Sequence, residues 1–260
     1  MAEIKAAVLI IGNEVLSGRT QDANLAFLAD ALGKQGVLLT EARVVRDEEM
    51  AIVRAVNDLR VDNDYVFTTG GIGPTHDDIT MASIAKAFSV PVEINPDAEA
   101  ALHAYYASSG REVTPERLRM AMQPRGSKII PNPIGGGPGA AIENVFILPG
   151  VPSQMQAMAG PLIEQLKGGP AFQSMAVTTD LYESVIAKRL AAIQAADAQV
   201  EIGSYPHSDG GRYMVRLVVR GQEAARIQRA VQEIRAMIKE LNGNILDAPA
   251  TSGGKPQATR

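Results

Sequence analysis

The chain has 260 residues, enough for one full α/β domain and a smaller one, and its 46% hydrophobic and 21% charged content is that of a globular protein with a real core. A formal net charge of −4 argues against a sequence-independent nucleic-acid binder, which needs a basic surface to displace counterions from phosphates, and leaves room only for a local basic pocket. With no cysteine there is no disulfide framework, no thiolate zinc site and no cysteine nucleophile, which fits a cytoplasmic protein.

From the N-terminus, the aliphatic run from Ala6 to Ile11, closed by Gly12, predicts a strand buried on both faces of a parallel sheet rather than a signal peptide. No segment approaches membrane-spanning length. GNEVLSG, 12–18, follows as a loop. Leu25, Leu28, Ala29 and Leu32 recur at helical spacing within 21–35, and Gly36 stands where a helix stops. A second strand is expected at 37–45, a helix at 48–59 with Ile52, Val53 and Val56 on one side, and a short strand at 65–68. Helices are expected at about 78–88, 97–108 and 115–122, then a proline- and glycine-rich loop, PNPIGGGPG. A further strand at 145–148 leads through PGVPS into a helix at 153–166, with Pro152 near the first position, where a missing N–H costs little.

Gly168, Gly169 and Pro170 break that helix, so the first domain is placed at 1–168 and a second at 169–246. The second has a strand at 175–179, a helix at 183–193, strands at 200–205 and 213–220, and a long helix at 222–241. This order suits a small α+β domain with its sheet covered on one face. YPHSDGGRY, 205–213, is a candidate for closing over a substrate or for a contact between copies in a homo-oligomer. Residues 247–260, nearly free of large apolar side chains, are expected to be a disordered tail.

In a parallel α/β sheet the ligand crevice lies beyond the carboxyl ends of the strands. That rule selects Gly12-Asn13-Glu14, Arg46-Asp47, residues 69–78 and residues 149–153. In TTGGIGPTHDD, 68–78, Gly70, Gly71 and Gly73 let backbone N–H groups approach an anion, Pro74 and Thr75 follow, and a helix N-terminus lies just beyond. Asp77 and Asp78 would repel a phosphate unless a cation lay between. Mg²⁺ or another divalent cation is the natural bridge, because it takes one or two carboxylates plus phosphate oxygens, and Glu14 and Asp47 could complete the site. Each residue also has a structural explanation. Thr75 and Asp78 have capping-box spacing, Asp47 suits the N-cap of the second helix, Glu14 can bond amides in its own loop, and Asp77 can simply face solvent.

The remaining signals are weaker. His76 lies in the turn within reach of a phosphate, whereas His103 and His207 are expected to face solvent or be structural, and no HExxH pair exists. Arg19, Arg46 and Arg125 are candidate phosphate partners against a background of solvated arginines. The usual dinucleotide, P-loop and nucleophile-elbow patterns are absent, so Ser17 and Ser153 are expected to serve as loop or cap residues.

Together, GNEVLSG, TTGGIGPTHDDIT, NPIGGGPG at 132–139 and LPGVPSQM at 148–155 resemble the molybdopterin-binding superfamily, in a branch similar to the N-terminal part of the competence/damage-inducible CinA family. The resemblance covers about residues 4–245. It implies a three-layer α/β/α domain with a mostly parallel sheet, binding a pterin or nucleotide phosphate, with molybdopterin as a possible ligand. It also implies that Asp78 and Asp47 are the catalytic or metal-binding residues, and that Gly150 in LPGVP borders the ligand. Gly137 stands where the family pattern usually has alanine. The C-terminal deamidase domain of full-length CinA is not part of the match, so hydrolysis of nicotinamide mononucleotide is not expected. Three activities follow: metal-dependent cleavage of an ADP-ribose-type pyrophosphate, molybdopterin adenylyl transfer, and binding without catalysis.

Overall fold

The computed structural model describes residues 3–246, so the tail expected at 247–260 lies outside the described residues. The chain divides after Gly169 into two units.

In the first unit, strands β1 (Lys5–Ile11), β2 (Leu38–Val45), β3 (Tyr65–Thr69), β6 (Lys128–Ile130), β7 (Gly139–Ile142) and β8 (Val145–Leu148) form one sheet, ordered β2-β1-β3-β8-β7-β6. Strands β4 (Val92–Ile94) and β5 (Met122–Pro124) make a separate hairpin. The pairs β1–β2, β1–β3 and β3–β8 are parallel, and β7 and β6 continue antiparallel.

The central strand explains the layering. Every residue of β1 after Lys5 is buried, and alternate side chains enter different cores. Ala7, Leu9 and Ile11 pack with Ile52, Val56 and Leu59 of helix α3 (Glu49–Asp62) and Ile84 of α4 (Thr80–Ala87). Ala6, Val8 and Ile10 pack on the opposite face with Leu28 and Leu32 of α2 (Asn24–Lys34) and Met155, Met158 and Ile163 of α7 (Pro152–Glu164). A three-layer α/β/α domain with a mostly parallel sheet results. Because β2 and β3 flank β1 on opposite sides, the chain switches direction across the sheet at β1. The carboxyl ends of β1 and β3 are where such a sheet opens a crevice.

Several local expectations change. The loop at 12–18 contains a single helical turn, α1 (Asn13–Leu16). The helix expected at 115–122 ends as α6 (Pro115–Leu118); a 3₁₀ turn at Arg119–Ala121 then leads into β5. Burial of Met120 and Ala121 against Ala98, Leu102 and Tyr106 of α5 (Pro96–Ser108) forces that bend, and Pro124 could not continue a helix. The glycine-rich loop at 131–139 connects β6 to β7. A methyl group on Gly139 would lie 2.3 Å from the Ile147 carbonyl oxygen, so β7 requires a residue without Cβ to lie against β8.

In the second unit, β9 (Gln173–Thr179), β10 (Val200–Asp209) and β11 (Arg212–Gly221) form an antiparallel sheet ordered β10-β11-β9. Helices α8 (Glu183–Ala196) and α9 (Ala224–Glu240) supply its core, with Ile227, Val231, Ile234 and Ile238 against Val215, Leu217 and Val219. Strands β10 and β11 run further than the sequence suggests, pairing to Asp209 and Arg212 across a two-residue Gly210-Gly211 turn of the kind that matches strand twist. The outer edge of β10 is partly closed by Gln194, whose Nε2 donates to the Val200 carbonyl and whose Oε1 accepts from the Ile202 amide, both at 2.7 Å. No helix among the described residues is long and apolar enough to cross a membrane.

Ile84 is fully buried between α4 and the sheet, so it sets the position of the segment preceding α4. Ile84→Ala is expected to destabilise the first unit by about 2–5 kcal/mol and Ile84→Val by about 0.5–1.5 kcal/mol. Urea unfolding followed separately for each unit checks this, and equal losses for the two variants would contradict the packing.

Candidate functional site

The glycine turn begins where β3 leaves the sheet. The Gly70 amide donates to the Leu148 carbonyl at 3.1 Å, extending the β3–β8 ladder by one bond. Gly70 then turns with φ +104°, and a methyl group there would lie 2.1 Å from the Ile11 carbonyl oxygen. Gly150 packs against it, its own Cβ position lying 3.2 Å from Gly70 Cα. Thr80, the first residue of α4, takes both carbonyls of the turn. Its amide donates to Gly71 O at 3.0 Å and its hydroxyl to Gly70 O at 2.9 Å.

Among the described residues the carbonyls of Ile72 and Gly73 remain unpartnered, and so do three amides. The amides of Gly71, Ile72 and Gly73 donate to no acceptor among the described residues. Within the expected anion cradle the amides at 71–73 are free of protein partners, whereas the Gly70 amide is used by the sheet. Thr75 is also spent internally. Its amide donates to Asp78 Oδ2 at 2.8 Å, and its hydroxyl lies within hydrogen-bond reach of Asp77 and Asp78. These contacts close the turn rather than cap α4, whose N-cap residue is Ile79. The Pro74 carbonyl receives Arg119 Nη1 at 3.4 Å.

The carboxylates come from separate loops. Asp47 does not cap α3, whose N-cap residue is Glu48. Instead Asp47 Oδ2 accepts from the Asn13 amide at 2.8 Å, while its Oδ1 lies 3.7 Å from where a Gly71 methyl would stand. The β2–α3 loop thereby brings a carboxylate beside the glycine turn. Asp78 lies against Gly73, and its Oδ1 has no protein donor among the described residues. Glu14 is exposed with its carboxylate folded against Gly12, bonding none of the amides of its own loop. Asp77 is exposed, and its hydrogen bond from the Thr75 hydroxyl holds its carboxyl below the usual aspartate range, so it stays ionised at neutral pH.

Among the described residues, no three histidine, aspartate or glutamate side chains gather into a protein-only metal cage, so Glu14, Asp47 and Asp78 do not form one by themselves. Asp47 and Asp78 each retain an oxygen free of protein donors, the donor set for a hard cation shared with a ligand's phosphate oxygens.

The other candidates disperse. His76 is 96% exposed, and His103 and His207 are also at the surface. Arg125 pairs with Glu93 at 2.7 Å, Arg19 donates to Ser17 Oγ, and Arg46 is exposed beside Asp47. Two residues at the site have no signal in the sequence. Asn24, 3% exposed, donates to the Gly150 carbonyl at 2.9 Å and fixes that loop, leaving its buried Oδ1 unpartnered. Arg119 reaches the turn only because the helix before it is cut short.

Gly136 has nearly the same backbone angle as Gly70, φ +102°, but a methyl group there would meet nothing closer than 3.6 Å. Gly136→Ala is expected to cost about 1–2 kcal/mol, the left-handed penalty alone, and Gly70→Ala clearly more. Equal losses in denaturant unfolding would mean that the Ile11 carbonyl does not crowd the turn.

Comparisons with known proteins identify the chain's relatives. A family model described as a probable molybdopterin binding domain matches residues 7–168, and one described as the middle domain of FAD synthase matches residues 171–243. A protein of Caldivirga maquilingensis is 34% identical over 253 residues, covering 92% of this chain and 98% of its own. A CinA-like protein of Desulfosudis oleivorans is 35% identical, and the match spans 74% of this chain but only 49% of that relative. The solved structure of the protein CinA with unknown function from Thermoplasma acidophilum is 35% identical with a TM-score of 0.58, covering 62% of this chain and 97% of that one. The chain belongs to the probable molybdopterin-binding domain family, among its CinA-like members.

Proposed function

We propose that the chain binds a nucleotide or pterin phosphate on the amides of Gly71, Ile72 and Gly73, and cleaves an ADP-ribose-type pyrophosphate with a divalent cation such as Mg²⁺. The observation that carries this reading is the convergence of Asp47, from a different loop, on Gly71. A carboxylate beside a phosphate cradle makes sense when a cation joins them. Asp47 and Asp78 would hold the cation through their unbonded oxygens, with Glu14 at the rim. Bound there, it would neutralise phosphoryl oxygens and favour an incoming water.

The chain's own contribution is to hold and orient. The three amides donate to the phosphoryl oxygens, where negative charge increases during displacement. Asn13 and Thr75 fix one oxygen of Asp47 and of Asp78 respectively, so each carboxylate presents the other. Water oxygen attacks one phosphorus, the bridging P–O bond breaks, and ADP-ribose becomes AMP and ribose 5-phosphate. The family description favours a second reading, in which a pterin phosphate accepts an adenylyl group at the same turn. A binding module without catalysis is the third.

Incubation of the pure protein with ADP-ribose and Mg²⁺ is expected to release AMP. Asp78→Asn and Asp47→Asn should each slow release on the order of a hundredfold, the scale for removing one group that stabilises developing charge. Full activity in Asp78→Asn, or turnover indifferent to the metal, would sink the mechanism. Joint consumption of ATP and molybdopterin with ADP-ribose inert would establish adenylyl transfer. Tight binding with no product under any metal would establish the binding module.

A further inference from the structure

Among the described residues the sheet edges are short or partly covered, with one exception. Strands β4, β5 and β6 have three residues each, too few to template another strand. Edge strand β10 is bonded by Gln194 at Val200 and Ile202 and carries Pro206 further along. On the free side of β9, Ile245 bridges to Thr179 and the Leu246 amide donates to the Thr178 carbonyl at 2.8 Å. The eight-residue β2 has no such cover. Thr40, Glu41, Ala42 and Val44 are exposed, and β1 is the one strand that pairs with β2 among the described residues.

The bonds to β1 determine which groups of β2 point outward. The Gly12 amide donates to the Val45 carbonyl at 3.1 Å, and Glu41, Arg43 and Val45 stand opposite Ala7, Leu9 and Ile11. In a parallel ladder alternate residues bond to one neighbour. Glu41, Arg43 and Val45 therefore turn their backbone groups to β1, while Ala42 and Val44 turn theirs away. The side chains divide in the same way. Glu41 and Arg43 lie on the α3 side, where Arg43 donates to Glu41 and, at 2.9 Å, to Asp58. Ala42 and Val44 stand beside Val8 and Ile10, on the α2 side.

This arrangement selects a partner. A second copy brought up antiparallel about a two-fold axis offers the same edge, and outward-bonding residues must meet outward-bonding residues, so the axis passes through a residue that faces itself. Through Glu41 or Arg43 it would set like charges against each other. Through Thr40 it would set Glu41 against the partner's Leu39, and through Val44 it would set Arg43 against the partner's Val45. Through Ala42 it sets Glu41 against the partner's Arg43 and Arg43 against the partner's Glu41, with two small residues exchanging backbone bonds at the centre. We propose that β2 pairs antiparallel with β2 of a second copy, centred on Ala42, and joins two six-stranded sheets into one. Charged residues on an edge ordinarily deter pairing. Here the two signs stand two residues apart, and a two-fold axis turns that deterrent into a register. The pairing is independent of what the glycine turn binds.

One strand pair over residues 40–44 is a small interface, so the dimer is expected to exchange with monomer on dilution. The full chain is weighed by light scattering and sedimentation across a concentration series, and is expected to reach the mass of two chains. Glu41→Arg and Arg43→Glu each place like charges opposite each other twice in a homodimer, and each is expected to raise the dissociation constant about tenfold or more. An equal mixture of the two variants restores both opposite-charge pairs in the heterodimer and is expected to recover the mass of two chains. That recovery separates pairing across the axis from damage to the contact between Arg43 and Asp58. Ala42→Pro is the backbone probe. Its lost N–H is one that β1 does not use, so thermal melting should stay near that of the parent chain while the dimer disappears.

A parent chain that stays at the mass of one chain at every concentration overturns the proposal. So does an assembly that survives Ala42→Pro, and so does a mixture of Glu41→Arg and Arg43→Glu that remains monomeric. Should Ala42→Pro melt early, the mixture decides alone.

Discussion

The site depends on the close approach of three backbones at the carboxyl edge of the sheet. Gly70 must sit on the Ile11 carbonyl, beside Gly150 and at the end of the β3–β8 ladder, with no room for a Cβ. This crowding determines how the polar groups are distributed. The sheet takes the Gly70 amide and Thr80 takes the carbonyls of Gly70 and Gly71, which leaves the amides of Gly71, Ile72 and Gly73 without a protein acceptor among the described residues.

Around these donors the side-chain charge has the wrong sign for a bare phosphate. Asp47, Asp77 and Asp78 surround the turn, and Glu14 stands on the neighbouring loop. Like charges about 4 Å apart repel by about 1 kcal/mol in bulk water and about 4 kcal/mol at an effective dielectric of 20. Arg119 at the turn and Arg46 beside Asp47 offset this in part. The amides attract an anion and the carboxylates repel it. On the proposed reading that opposition is resolved when a cation accompanies the anion, so the charge pattern is what motivates a metal there.

The parallel strands were legible because burial on both faces leaves long aliphatic runs, as in Ala6 to Ile11, and the strand-edge rule then located Asp47, Asp78 and the glycine turn. The small strands were not. Strands β4, β5 and β6 have three residues each, too few to show a period, and β7 begins Gly139-Ala140-Ala141, whose small side chains look like the end of a loop. Their identity is fixed by contacts made far away, such as Gly139 against Ile147. The same limit hid Arg119 and Asn24. Arg119 enters the site only after burial of Met120 and Ala121 bends its helix into a 3₁₀ turn, and Asn24 matters through a bond to a residue 126 positions distant. The mistaken cap role for Asp47 has a different origin, because the Asn13 amide competes with the helix for its carboxylate and takes it.

Two parts of the first unit meet at this edge under different constraints. The glycine junction is fixed by backbone crowding, since Gly70 has no room for a Cβ against the Ile11 carbonyl. The annex at 92–122 is packed around its own small core of Leu102, Tyr106 and Met120, and it reaches the turn through Arg119. Substitution in the annex can then change what lies beside the turn without disturbing the crowded junction, whereas substitution at the junction disturbs the turn itself. The turn alone does not identify a ligand, because unpartnered backbone amides respond to negative charge and are indifferent to what carries it.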